Sequence, residues 1–179
     1  MRPHFATVKH TGGGDFKPAG FVPDALTLGV ATASRVLRSD SLGSAVSDAQ
    51  RAGLRFEAKV KSRLREVADR HSGSFLPGPW FSYTLKNGKR GLCQPDGVLI
   101  FGGFTFIIEV KLTHVDRAWL QLRRLYQPVL QSMTYGPVGV IEIAKRGDPL
   151  MAFPEKVNLI RDITKADIDA YNLLFASDL

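Results

Sequence analysis

The sequence predicts an α/β domain with a central mixed four-stranded sheet flanked by helices, in the order helix, three strands, helix, strand. Three observations carry this. A proline-free amphipathic run covers residues 48–71. Three strand-like runs follow, punctuated by an Asn-Gly pair and a Gly-Gly pair. A second helical run, 115–133, then leads into the apolar strand "PVGVIEIAK" at 137–145. Hairpin-linked strands before a helical crossover make the sheet mixed rather than wholly parallel.

The first helix, "DAQRAGLRFEAKVKSRLREVADRH", has one stripe of Gly53, Glu57, Val60, Leu64, Val67 and Ala68. That is helical spacing, and Glu57 is the carboxylate on an otherwise apolar face. Glu57 is either the partly exposed edge of that stripe or a site residue. Basic side chains, among them Arg55, Lys59 and Arg63, occupy the other sides.

"WFSYTL" then reads as a strand, "KNGKR" as a hairpin turn, and 92–101 and 104–112 as two further strands. In the second helical run Pro128 is expected to kink or shorten the helix. A strand or loop is expected near 150–160. A last helix starts at Thr164-Lys165-Ala166-Asp167 and runs to about residue 176. Residues 1–47 read as an arm, irregular to residue 22 and then weakly helical in patches such as "PDALTLGVATASRVLRS"; 48–179 form the domain. Gly12-Gly13-Gly14 lacks the lysine and the preceding strand of a phosphate loop.

The loop Gly102-Gly103 sets a hairpin register. Phe101 faces Phe104, Ile100 faces Thr105, Leu99 faces Phe106, Val98 faces Ile107 and Gly97 faces Ile108. Continued, the register sets Asp96 opposite Glu109 and Gln94 opposite Lys111. Side chains alternate along a strand, so Glu109 and Lys111 share a face with Asp96. Two opposed carboxylates repel, and burial makes the conflict worse. A divalent cation removes it, since Mg²⁺ is typically held by one or two carboxylates with water and phosphate oxygens. The bland alternative is a solvated salt bridge, but "VLIF" and "FTFII" are apolar on both faces and argue for covered strands.

Charge and composition fit a polyanionic partner. Lys and Arg number 24 against 17 Asp and Glu, a net charge of +7. The lone Cys93 excludes an internal disulfide and is expected to serve packing. No apolar run approaches the ~20 residues of a membrane span, and the first residues lack the apolar stretch of a secretory leader. A cytoplasmic protein without membrane contact is expected, in host cytoplasm or virion-associated if phage-encoded. His4, His10, His71 and His114 form no ligand spacing, although His114 follows the Glu-x-Lys strand closely.

Pro95-Asp96, twelve intervening residues and Glu109-Val110-Lys111 resemble the signature of the PD-(D/E)XK nuclease superfamily. The resemblance covers roughly residues 50–145, and the element order matches that superfamily's restriction-endonuclease-like core, αβββαβ. "GLRFE" resembles the family's first helix, whose glutamate, here Glu57, points into the site. Gln121 with Tyr126 or Gln127 resembles the Gln/Tyr motif of the RecB-like and phage-exonuclease branch. The usual spacing is Gln-x-x-x-Tyr, so Tyr126 stands one position late, where an α-helix turns it off the face of Gln121. It is either part of the motif or core beside Leu122 and Val129.

The resemblance implies a metal-dependent DNA nuclease leaving 5′-phosphate and 3′-hydroxyl ends, in phage-type DNA processing or in recombination and repair. Asp96, Glu109 and the Val110 backbone carbonyl would hold Mg²⁺ or Mn²⁺, with Glu57 as a further ligand. Lys111 would orient water and stabilise charge, and Gln121 would complete the catalytic set. Arg55, Lys59, Arg63, Arg123, Arg124 and Tyr126 would contact DNA, although Arg123 and Arg124 equally suit a solvated helix face. The alternative function is a non-catalytic DNA-binding or assembly protein, such as a phage structural protein, on the same fold. The N-terminal arm suits a protein partner, and homo-oligomerisation stays open.

Overall fold

A computed structural model describes residues 7–9, 24–37, 47–114, 116–146 and 171–175. Fourteen elements follow in order. They are β1 (Thr7–Lys9), α1 (Ala25–Leu28), β2 (Val30–Leu37), α2 (Asp48–Arg70), β3 (Ser74–Pro77), β4 (Trp80–Leu85), β5 (Arg90–Cys93) and β6 (Gly97–Phe101). Then come β7 (Phe104–Thr113), α3 (Asp116–Gln121), a π-helical turn (Leu122–Tyr126), α4 (Gln127–Gln131), β8 (Val138–Arg146) and β9 (Tyr171–Phe175).

The central sheet has the order β3-β6-β7-β8-β9. β3, β6 and β7 are antiparallel neighbours, and β8 and β9 run parallel to β7. With α2 before them and α3 to α4 before β8, the strands β3, β6, β7 and β8 give the expected αβββαβ core with a mixed sheet. β9 extends it by one strand.

A second sheet, ordered β1-β2-β4-β5, accounts for three differences from the sequence reading. "WFSYTL" is β4 and pairs with β2 and β5, so the first strand of the central sheet is the short β3. The run 92–101 is two strands, because the chain changes sheets at Gln94-Pro95-Asp96. Proline has no N–H to give a ladder, which favours the break there. Residues 30–37, read as weakly helical, form β2. Gly29, with φ of 71°, ends α1 after one turn, and Val30, Thr32 and Val36 suit a pleated surface.

The final helix is also corrected. Residues 171–175 form β9, paired from Val140↔Tyr171 to Ala144↔Phe175. Pairing with an otherwise open edge of β8 overrides the helical tendency of "YNLLF". The start of that helix at 164–170, the segment 150–160, Gly12–Gly14, His4 and His10 lie outside the described residues.

α2 is long because its ends are satisfied and one face is apolar. Ser47 caps it, with a reciprocal capping box to Gln50; such a cap stabilises by about 1 kcal/mol. Phe56, Val60, Leu64, Val67 and Ala68 pack on Leu99, Phe106, Ile108, Val110, Ile141 and Ile143 of the central sheet. Each fully buried side chain of this kind contributes roughly 1.5–3 kcal/mol. The other face of the sheet, through Val98, Ile107 and Val140, meets Leu122, Leu125, Tyr126 and Val129, with Phe81, Tyr83 and Cys93 of the second sheet. Asp96 therefore lies where the two sheets part, between α2 and the π-containing helix.

Candidate active site

The Gly102-Gly103 turn has φ of 57° and 84°, the left-handed conformation that a two-residue hairpin of this hand requires. The ladder it sets runs as expected from Phe101↔Phe104 to Gly97↔Ile108, and β6 ends there. Asp96 leaves the ladder instead of continuing it. Its Oδ2 accepts the Val110 N–H at 2.7 Å, taking the place of the next strand partner. A strand residue's N–H and C=O share one edge, so the Val110 carbonyl is directed to the Asp96 side. Gln94 likewise does not face Lys111. Its Nε2 donates to the Gly78 carbonyl at 3.0 Å, and the Gly78 N–H donates to the Asp96 carbonyl at 2.9 Å.

Glu109 is buried to 4% side-chain exposure, and its Oε1 meets Lys111 Nζ at 2.5 Å. Its Oε2 is buried without a hydrogen-bond partner. Burial, and then the negative charge of Asp96, push the Glu109 carboxyl up to about 7. Asp96 is raised too, by burial first; the Val110 N–H opposes this and Glu57 adds to it. Burial works against the Lys111 ammonium, but Glu109, Asp96 and Glu142 outweigh it and hold its pKa above the usual value. Burial and mutual repulsion thus favour a proton, or a cation beyond Lys111, at the pair.

Two carboxylates, one with an orphan oxygen, and a nearby backbone carbonyl fit a hard divalent cation such as Mg²⁺ or Mn²⁺. Among the described residues no three of His, Cys, Asp and Glu converge as a metal-binding group. Glu57 faces the pair from α2, close enough to raise Asp96, but its carboxylate is held by Lys61. A cleft of about 460 Å³ opens there, lined in part by Gly53, Leu54, Glu57, Val110, Lys111 and Leu112.

The π-helical turn resolves the late tyrosine. In an α-helix five positions span 500°, far off one face, whereas a π turn inserts the extra residue. Gln121 Nε2 consequently donates to Tyr126 Oη at 2.8 Å, and that hydroxyl donates to the Gln94 carbonyl at 3.2 Å. The helix is tied to the segment that carries Asp96. Burial, and then Glu109, raise the Tyr126 phenol. Of the two readings of Tyr126, a DNA contact or core beside Leu122 and Val129, its 4% exposure fits the core position and not a DNA-contacting surface. Pro128 does not end the helix, which continues to Gln131, because its missing N–H falls just after the π turn.

The remaining basic candidates do not converge on Asp96. Arg55, Lys59 and Arg63 are exposed, and Arg63 pairs with Glu66 at 2.7 Å. Arg124 is 3.7 Å from Asp24, which caps α1, and Arg123 donates to Gln127 Oε1.

Two residues near the site were not singled out from sequence. Glu142 is fully buried on β8 as the register partner of Glu109, and its Oε1 lies 2.9 Å from His114 Nδ1. Its signal was the same as that of Glu109, a lone acid inside an apolar strand. Lys61 stands four residues after Glu57, on the same helical face.

No family model and no curated protein matches the chain. A solved structure titled "Structure of a Type III CRISPR defence DNA nuclease activated by cyclic oligoadenylate" is similar at 20% identity and a TM-score of 0.40. The overlap covers 59% of this chain and 16% of that one, and a likeness at that score decides neither fold nor activity. Among the described residues no helix is long and apolar enough to cross a membrane.

Proposed function

We propose that the chain is a metal-dependent nuclease that hydrolyses phosphodiester bonds of DNA. The observation that carries this reading is the buried Glu109 carboxylate, one oxygen on Lys111 and the other unpartnered, beside Asp96. Idle surface charges do not take that arrangement, since an unpaired buried carboxylate oxygen is costly.

Asp96, Glu109 and the Val110 carbonyl would hold Mg²⁺ or Mn²⁺. Such an ion, when bound, makes water a better nucleophile and offsets charge on a phosphoryl oxygen. Lys111 stays charged and is one-third exposed, so its ammonium is available to a developing phosphorane charge. Gln121 and Tyr126 fix the Gln94–Asp96 segment, which keeps the Asp96 carboxylate on Val110. The resemblance to the RecB-like and phage-exonuclease branch further supports 5′-phosphate and 3′-hydroxyl products and a setting in phage DNA processing, recombination or repair.

The test is a cleavage panel with linear, circular, single-stranded and branched DNA and RNA, in Mg²⁺, Mn²⁺ or chelator. DNA cleavage that needs the metal and falls at least 100-fold in Asp96→Asn, Glu109→Gln and Lys111→Ala supports the reading; such losses are typical when an electrostatic catalytic group is removed. A native protein that cleaves no form of DNA overturns it and leaves a non-catalytic DNA-binding role.

A further inference from the structure

The two flanks of α2 differ in a way that bears on where a nucleic acid would lie. At about 100° per residue, Lys59 and Arg63 each diverge from Lys61 by roughly 160°, whereas Arg65 lies only about 40° from it. Glu57, Lys61 and Arg65, at steps of four residues, form one ridge along the helix.

Contacts place this ridge beside the candidate site. Lys61 pairs with Glu57 of the same ridge. A Cβ built on Gly78 would sit 3.7 Å from Lys61 Nζ, so the ammonium is against the turn that bonds to the Asp96 carbonyl. One turn on, the Arg65 guanidinium lies 6.0 Å from the Phe75 ring centroid on β3. The ridge therefore follows β3 away from Asp96.

Its central pair is also unlike the other ion pairs of α2. Lys61 and Glu57 are 20% and 25% exposed, against 58% and 95% for Arg51–Asp48 and 48% and 52% for Arg63–Glu66. A half-buried lysine beside the turn that bonds to Asp96 is poised to exchange its carboxylate for a phosphate.

We infer that the nucleic-acid backbone runs along the Lys61–Arg65 flank of α2, with phosphates next to the reacting one held by Lys61 and then Arg65, and not along the flank of Lys59 and Arg63. The inference rests on the nuclease reading for its substrate, and its test does not depend on turnover.

The experiment compares two variants of equal charge change, Lys61→Gln/Arg65→Gln and Lys59→Gln/Arg63→Gln, in the full chain. Each binds a short fluorescein-labelled DNA duplex in Ca²⁺, followed by anisotropy from about 50 to 200 mM salt. The ridge variant should lose roughly tenfold or more in affinity, and its log–log salt slope should fall by about 2. The opposite-flank variant should lose markedly less. Arg65→Gln alone, at an exposed position, should still lower the slope by about 1 and covers the case in which the double variant unfolds.

Equal losses on both flanks, a larger loss from Lys59 and Arg63, or no binding by the native protein would overturn the inference. A native protein that binds along the ridge yet cleaves nothing leaves the inference standing and overturns the nuclease reading instead.

Discussion

Gln121 Nε2 donates to the Tyr126 hydroxyl at 2.8 Å across a step of five residues, because the helix takes a π turn between them. The same hydroxyl donates to the Gln94 carbonyl, two residues before Asp96. One side chain thus couples the second helix to the junction that positions the acid.

Tyr126→Phe should remove both hydrogen bonds while keeping the ring packed. The expected loss is about 1–2 kcal/mol, with Gln121→Ala costing less. The two changes should be non-additive by roughly 0.5–1.5 kcal/mol, since they share a bond. Urea unfolding of the two single variants and the double variant measures this; additive losses would show that the bond carries no coupling.

Glu109→Gln should stabilise the metal-free protein at pH 8, by roughly 1–3 kcal/mol, because a neutral amide avoids burying a carboxylate whose Oε2 has no partner beside the negative Asp96. The sign follows from its raised pKa. The folded carboxyl titrates at about 7, above the ordinary 4.5. The folded state therefore binds more protons between those values. That contribution to stability is complete below about pH 4.5 and is lost as pH rises through 7. Thermal melts in chelator should show the native protein losing stability from pH 5 to 8 more steeply than the variant. Parallel curves would contradict the assignment.

Glu142→Ala should be among the most destabilising single changes in the core. Glu142 is fully buried with His114 Nδ1 against it at 2.9 Å, and its removal takes away that hydrogen bond, at about 1–3 kcal/mol, and leaves a cavity besides. Chemical denaturation checks the figure; a loss below about 1 kcal/mol would mean the pair is readily solvated.

The sequence was most informative where local geometry decides the outcome. Two glycines sufficed for the register from Phe101↔Phe104 to Gly97↔Ile108, since a two-residue turn leaves no freedom in pairing. The stripe Val60, Leu64, Val67 located the buried face of α2 for a similar reason. It was least informative where distant segments compete for an edge. Whether 90–93 and 97–101 form one strand or two depends on β2 and β4 forming a second sheet, and "YNLLF" becomes β9 because β8 offers it an edge.

The site shows the same division. Glu109 and Lys111 follow from alternation along β7, but the turn of Asp96 onto the Val110 N–H follows from the chain leaving β6 at Pro95. The π turn is an insertion whose effect on spacing α-helical arithmetic cannot express, so Tyr126 read as misplaced. Glu142 became meaningful only once β8 was known to lie beside β7 in parallel register with Glu109.

The most direct measurement is calorimetric titration of Mn²⁺ into the native protein, Asp96→Asn and Glu109→Gln, with and without a DNA duplex in a metal-binding but cleavage-blocked Lys111→Ala background. The Asp96–Glu109 pair predicts saturable binding of the ion to the native protein, tighter with than without DNA in the Lys111→Ala protein, and abolished by either carboxylate substitution. Absence of binding in every condition, or binding unchanged in both carboxylate variants, would contradict the account.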